Sequence, residues 1–355
     1  MLTILSLLFF NSCKVKVGVN IPLTGPVASY GKYCLEGIKL KADISPGIEL
    51  VVDDNEADPN NVTLILKKFA AESVKVVIGP LISPNAVVAG IEGKKLGITI
   101  ILPAATNSAL TKVSPLLFRT CFTDKQQGEA IAEFLYSTLD KKELQIVADT
   151  GNIYSSSLAL YVRHKFAKLG GKTELIPIGN KTEADSLIEK FTFNTVFLPL
   201  YYESVKPIIV KSREKGLNIT FVGADGWDAP ELFDALKNDS TPAYFSTHYF
   251  MNNNNVAHEF DSLYMEEYNK YPNTFVALGF DAMNIILDAL KNTKSLSSAD
   301  IHRALLSIKE FQGVTGTFRY NGKSDPQKDV FIVKLQSGTT SLFTKIPASE
   351  NKVNK

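Results

Sequence analysis

The chain has 355 residues, 45% hydrophobic and 21% charged, with 38 basic and 37 acidic side chains that leave a net charge of +1. That length exceeds the usual single domain and predicts two cores. The charge balance excludes the basic stripe of a nucleic-acid binder, and the pairs Lys67–Lys68 and Lys94–Lys95 fit solvated helix faces.

The N-terminal run MLTILSLLFF is apolar and uncharged. It is shorter than the ~20 residues that span a bilayer and fits the apolar core of a signal peptide. Ser12 stands before Cys13 in a stretch that resembles a lipobox, which makes Cys13 a lipidation site and residues 1–13 a leader. The alternative is an ordinary secretion signal. Export permits a disulfide between Cys34 and Cys121, and two buried free thiols fit equally well. His164, His248, His258 and His302 are scattered, so no metal site and no cofactor is expected.

From Lys16 onward, short apolar runs alternate with longer amphipathic ones. KVKVGVNI reads as a strand, YGKYCLEGIKLKADI as a helix and GIELVVDDN as a strand. NNVTLILKKFAAES, VKVVIGP, NAVVAGIEGKKLG and ITIILPA continue the alternation. After LLFRTCFTDKQQG the pattern restarts with a helix over 126–139. LQIVAD, KTELIPI, NTVFLPL and ITFVGAD are further strands, separated by helices that include SSSLALYVRHKFAKLGG. YPNTFVALGFDAMNIILDALKN is a long helix, and GVTGTFRYNGK and KDVFIVKLQSG form a late hairpin or two extended segments. Alternation at this spacing predicts crossover units and parallel sheets, and the Val/Ile runs suit strands covered on both faces. The fold class is therefore α/β, with two doubly wound Rossmann-like lobes.

In such sheets ligands bind beyond the carboxyl ends of the strands. No GxGxxG, GxxxxGK[ST] or GxSxG is present, and no histidine falls in a strand-end loop where a general base would be wanted. No nucleophile–base pair can be assembled, so an enzyme is not expected. Asp53–Asp54 read as a helix cap or loop lining. The strand-end loops hold short neutral hydrogen-bonding groups and aromatics instead: Ser83, Ala104, Ala105, Thr106, Tyr30, Tyr154, Tyr201, Tyr202 and Trp227, with Asp225 as the carboxylate of the second half. Hydroxyls and backbone N–H groups suit a carboxylate. A carbonyl and Asp225 suit an ammonium, and aromatics enclose the rest. That inventory fits a small zwitterion. Taken singly, Ser83 and Thr106 fit N-caps, and Asp225 fits a cap for a helix near Pro230.

The segments KVGVNIPLTGPVASYG, VVIGPLISP, ILPAATNSAL, LFRTCFTDKQQG, VGADGW and FVALGFDAMNIILDAL, in this order, resemble the branched-chain amino-acid (Leu/Ile/Val)-binding proteins, type I periplasmic solute receptors of ABC importers. The resemblance runs from Lys14 to Ser337. It implies a ligand site of Tyr30, Ser83, Ala104, Ala105, Thr106, Tyr154, Asp225 and Phe275, with either Tyr201 or its neighbour Tyr202. Members commonly carry Glu where Asp225 stands, and their small-loop disulfide is absent because Ala57 and Ile82 occupy those places. The resemblance also implies lobe 1 at 14–121 plus 251–328, lobe 2 at 122–250 plus 329–345, a three-segment hinge near Cys121, His248 and Lys328, and a tail at 346–355.

The function implied is extracytoplasmic capture of a small α-amino acid by lobe closure. The partners implied are an ABC permease and ATPase, and a membrane through the lipid anchor. Two alternatives stand beside it: the same fold binding an amide, urea-like or aromatic acid ligand, or a sensory lipoprotein not tied to transport.

Overall fold

The computed structural model describes residues 14–179 and 182–348, so Cys13 and the leader lie outside the described residues. The chain opens with β1 (Val15–Ile21), α1 (Ala28–Asp43), β2 (Ile48–Asp54), α2 (Pro59–Ala71), β3 (Val76–Ile78), α3 (Ser83–Leu96), β4 (Thr99–Leu102), the single turn α4 (Leu110–Val113) and β5 (Leu117–Arg119). These strands make one sheet in the order β2-β1-β3-β4-β5, with every pairing parallel. β3, β4 and β5 are buried throughout, as strands of Val, Ile and Leu are when helices cover both faces.

The second sheet collects α5 (Asp124–Glu133), β6 (Glu143–Asp149), α6 (Ile153–Lys168), β7 (Lys172–Ile178), α7 (Ala184–Ile188), β8 (Thr195–Leu198), α8 (Tyr202–Glu214), β9 (Thr220–Gly223), α9 (Pro230–Ala235) and β10 (Ala243–Thr247). The chain then returns to the first lobe with α10 (Asn255–Tyr268), α11 (Thr274–Asn292), α12 (Ser298–Ser307) and a separate hairpin of β11 (Glu310–Gly313) and β12 (Gly316–Arg319). The Thr99 hydroxyl bonds the Ser298 carbonyl at 3.0 Å and ties α12 to β4. Finally β13 (Val330–Gln336) and β14 (Thr339–Ile346) complete the second sheet, in the order β14-β13-β10-β9-β8-β6-β7.

Local chemistry sets the helix ends. Asp58 caps α2 ahead of Pro59, and Thr123 and Gln126 form a reciprocal capping box at α5. Asn152 caps α6, which stops before Gly170 at φ 95°. Asp53 and Asp54 cap nothing. Asp53 pairs with Lys68, while Asp54 accepts from the Leu23 amide and the Thr24 hydroxyl, tying the first strand-end loop to the second.

GVTGTFRYNGK and KDVFIVKLQSG do not pair with each other. The first folds back on Glu310–Gly313. The second needs partners on both sides because Val330–Val333 is fully buried, and it takes β10 and β14.

Helices α1 and α11 touch backbone to backbone. A Cβ at Gly37 would lie 1.9 Å from the Val276 carbonyl oxygen, and one at Gly279 would lie 2.1 Å from that of Cys34. Only glycine allows this approach, and it fixes Tyr30 of α1 beside Phe275 of α11. Cys34 and Cys121 are free, buried thiols, and burial pushes the Cys121 thiol up to about 12.

Candidate functional site

The first-lobe wall comes from the loops after β3 and β4. Ser83 is the first residue of α3, and its hydroxyl accepts from the Asn107 amide at 3.2 Å. The Ala104–Asn107 loop is gripped from behind by Arg119, which is 0% exposed. Its Nη1 and Nη2 donate to the carbonyls of Ala105 and Asn107, both at 2.8 Å, and its Nε donates to Asp325 at 2.8 Å. The planar fork of the guanidinium suits a loop whose alternate carbonyls need fixed directions.

The second-lobe wall is aromatic and acidic. Tyr154 lies in the first turn of α6, whose cap is Asn152, Tyr201 follows β8, and Asp225 opens a short turn after β9. The Tyr154 and Tyr201 rings stack at 5.0 Å with 5° between planes. Asp225 Oδ1 accepts from Tyr154 Oη at 3.0 Å and Gln127 Nε2 at 2.8 Å, and His248 Nε2 lies 3.3 Å from Oδ2. Asp124, the first residue of α5, is fully buried, and its carboxyl oxygens have no partner among the described residues. Burial pushes its pKa up to about 7, with the charge of Asp225 adding to the effect.

The walls meet over the cleft. Tyr30 Oη donates to the Gly226 carbonyl at 2.5 Å, Asn107 Nδ2 to the Ile153 carbonyl at 3.0 Å, and the Asp124 amide to the Thr106 carbonyl at 2.7 Å. Tyr30 stacks on Phe275 at 4.2 Å, and Tyr202 meets it edge-on at 5.3 Å. The enclosed cavity is about 20 Å³, little more than the roughly 10–15 Å³ that one water occupies. The Thr106 and Tyr201 hydroxyls border this cavity and have no hydrogen-bond partner among the described residues. Each carries an unmet bonding capacity that a polar ligand can satisfy.

Tyr30, Ser83, Ala104, Thr106, Tyr154, Tyr201, Asp225 and Phe275 all line the cavity. Ala105 does not. It is 1% exposed, packs into the first-lobe core with Leu102, Leu110 and Leu117, and its carbonyl is taken by Arg119. Tyr201 faces the cavity, while Tyr202 stands outside it and donates to the Pro26 carbonyl at 3.2 Å. Asp225 does not cap the helix at Pro230, whose cap position is Ala229.

Three residues of the second wall escaped sequence reasoning: Asp124, Gln127 and His248. His248 directly follows β10, so a histidine does sit at a strand end. AYFST, with only one β-branched residue, gave too weak a strand signal to reveal it. Among the described residues no cluster of His, Cys, Asp and Glu could hold a metal ion. No described helix is long and apolar enough to cross a membrane.

Two lobes closed over a small polar and aromatic cleft define a solute-binding protein. A family model for periplasmic binding proteins matches residues 14–340, so the chain belongs to the periplasmic binding protein family, of the kind that serves ABC transporters. Leu/Ile/Val-binding protein homolog 1 of Brucella abortus is 26% identical over 347 residues, covering 94% of this chain and 93% of that protein. A leucine-binding protein of Thermotoga maritima is 26% identical with a TM-score of 0.88, covering 94% of this chain and 99% of that one. An ABC-transporter solute-binding protein of Rhodopseudomonas palustris, solved with 3,4-dihydroxybenzoic acid, shares the fold at 22% identity and a TM-score of 0.82, covering 96% and 99%. The type I periplasmic binding protein fold and the branched-chain family resemblance both stand on these matches.

Proposed function

We propose that this chain is the extracytoplasmic receptor of an ABC importer and captures an α-amino acid, with hydrophobic and branched-chain types favoured. The observation that carries this reading is the pairing of opposite needs across one cleft. Ser83, Ala104 and Thr106 offer hydroxyl and backbone groups on one side, and Asp225 offers negative charge on the other. The ligand carboxylate meets Ser83 and the Thr106 amide. Its ammonium meets the Ala104 carbonyl and Thr106 hydroxyl, and closure brings Tyr154, Tyr201 and Asp225 onto it. Closure is driven by contacts that exist only in the closed state. The segments that pass between the sheets near Cys121, His248 and Lys328 act as the hinge.

The same reading assigns residues 1–13 to a leader, with a lipid on Cys13 and a permease with its ATPase as partners. Mass spectrometry of the mature N-terminus tests the lipid.

An aromatic acid is the second candidate, because the Tyr30–Phe275 and Tyr154–Tyr201 stacks flank the cavity with flat surface. Calorimetry with a panel of amino acids, their des-amino analogues and hydroxybenzoates separates the two. Binding of amine-free acids alone would overturn the amino-acid reading.

A further inference from the structure

Asp225 is surrounded by donors, and one of them titrates. Its Oδ1 takes Gln127 and Tyr154, while Oδ2 faces His248 Nε2 at 3.3 Å. His248 is 1% exposed and its ring stacks on Phe122 at 3.6 Å with 24° between planes. Gln127 Nε2 also bonds the Ser246 hydroxyl at 2.9 Å, so it is held from a second side. A carboxylate only accepts, so the neutral imidazole bonds Asp225 with its proton on Nε2. Nδ1 then has no partner among the described residues and is the atom that takes a second proton.

We infer that His248 is a positioning residue that sets the charge Asp225 presents to a ligand ammonium, so that protonation of His248 and binding of the amine compete. A neutral ring leaves the carboxylate charge to the ligand, and an imidazolium beside it neutralises that charge at contact distance. The inference rests on the amino-acid reading above.

The charged groups around the ring come from several elements. Asp225 stands in the turn after β9, and Asp228 in the same turn bonds the Thr247 hydroxyl at 2.5 Å. Asp124 begins α5. Lys328, just before β13, is 1% exposed and donates to the Thr120 carbonyl at 3.1 Å. Burial, the largest influence, pushes His248 below the ordinary histidine range. Asp225 works against that shift and Lys328 adds to it.

The sign follows from linkage. A bound ammonium disfavours a second positive charge at His248, so binding releases a proton once the free protein holds one. Affinity is then constant at high pH and falls with acidification, by up to about tenfold per pH unit for one linked proton. Asp124, near 7, contributes a fall of its own, so the share of His248 is read as a difference.

The test is calorimetry of the full chain between pH 8 and 5.5. The probes are L-leucine, L-alanine and L-phenylalanine, each beside its des-amino acid. For whichever amino acid binds, the ratio of affinities at the two pH limits is expected to be larger in wild type than in His248→Asn or His248→Gln. The des-amino acids should show no such excess. Equal ratios in wild type and variants overturn the inference and leave the amino-acid reading standing. Binding of des-amino acids alone overturns both. If the ring variants do not fold, Asp124→Asn keeps the ring in place. Proton release by that variant, measured in two buffers of different ionisation enthalpy, should rise as the pH is lowered from 8 to 5.5, and zero release throughout overturns the inference.

Discussion

The two walls of the cleft are built on opposite plans. The first-lobe wall is neutral, made of a hydroxyl, a carbonyl and a short loop, and its one buried cation, Arg119, lies behind the loop. The second-lobe wall carries the charge, with Asp225 bonded to Tyr154 of the Tyr154–Tyr201 stack. A neutral, pre-shaped wall can receive a zwitterion without first stripping water from an ion. A buried carboxylate gains most once water is excluded and its partner has arrived. The contrast therefore suggests an order: dock on the first wall, then close the second.

Breaking the first wall should have the largest effect. Arg119→Met leaves two buried carbonyls without their charged donor and Asp325 with the Thr111 hydroxyl alone, and should cost about 3–5 kcal/mol in urea unfolding. A loss under about 1 kcal/mol would mean that the loop holds its own shape.

Breaking the second wall should act on binding instead. Asp225→Asn should weaken an α-amino acid by about 2–4 kcal/mol, roughly 30- to 1,000-fold, and spare its des-amino analogue. Equal losses would remove Asp225 from the ammonium.

The two alanines sharpen the contrast within a single loop. Ala105→Leu should overpack the core and lower stability by about 1–3 kcal/mol. Ala104→Leu should leave the unfolding midpoint near wild type and block the cleft to every ligand. Matching behaviour would erase the distinction.

Tyr30→Phe removes the bond to Gly226 that joins the walls. It should weaken all ligands by about 0.5–1.5 kcal/mol, and a ligand-specific loss would make Tyr30 a contact rather than a clasp.

A last contrast concerns pH. Burial raises Asp124 and Asp228 to about 7, against about 3.9 for an unfolded aspartate. The folded state therefore holds protons that the unfolded chain releases. That stability is complete below about pH 4 and is lost as pH rises through 7. Asp124→Asn should flatten the rise in unfolding midpoint between pH 8 and 5, and an unchanged slope would show that Asp124 does not titrate there.

The same contrast explains what was legible in the sequence. The first wall follows from local motifs: VVIGPLIS and ILPAAT each end a Val/Ile-rich strand with small or hydroxylated residues. The side on which Ala105 faces was not legible, because it depends on Arg119 reaching back from β5. The second wall combines Asp124 and Gln127 of α5, Asp225 after β9 and His248 after β10, so its partners lie as far as 119 positions apart. No local pattern records that Gln127 meets Ser246. The parallel-sheet alternation was plain, whereas the late strands were not, since their partners are chosen by burial from far along the chain.

The chain contains a single tryptophan, and it occupies the turn that carries Asp225. Trp227 is fully buried, its indole N–H donates to the Leu198 carbonyl at 3.0 Å, and its ring lies so close to Gly223 that a Cβ there would come within 2.0 Å. Ultraviolet emission excited at the red edge of absorption thus has one origin, two positions from the acidic group of the cleft. The molecule carries its own optical clock: a stopped-flow change in that emission would time the engagement of the second wall without any label.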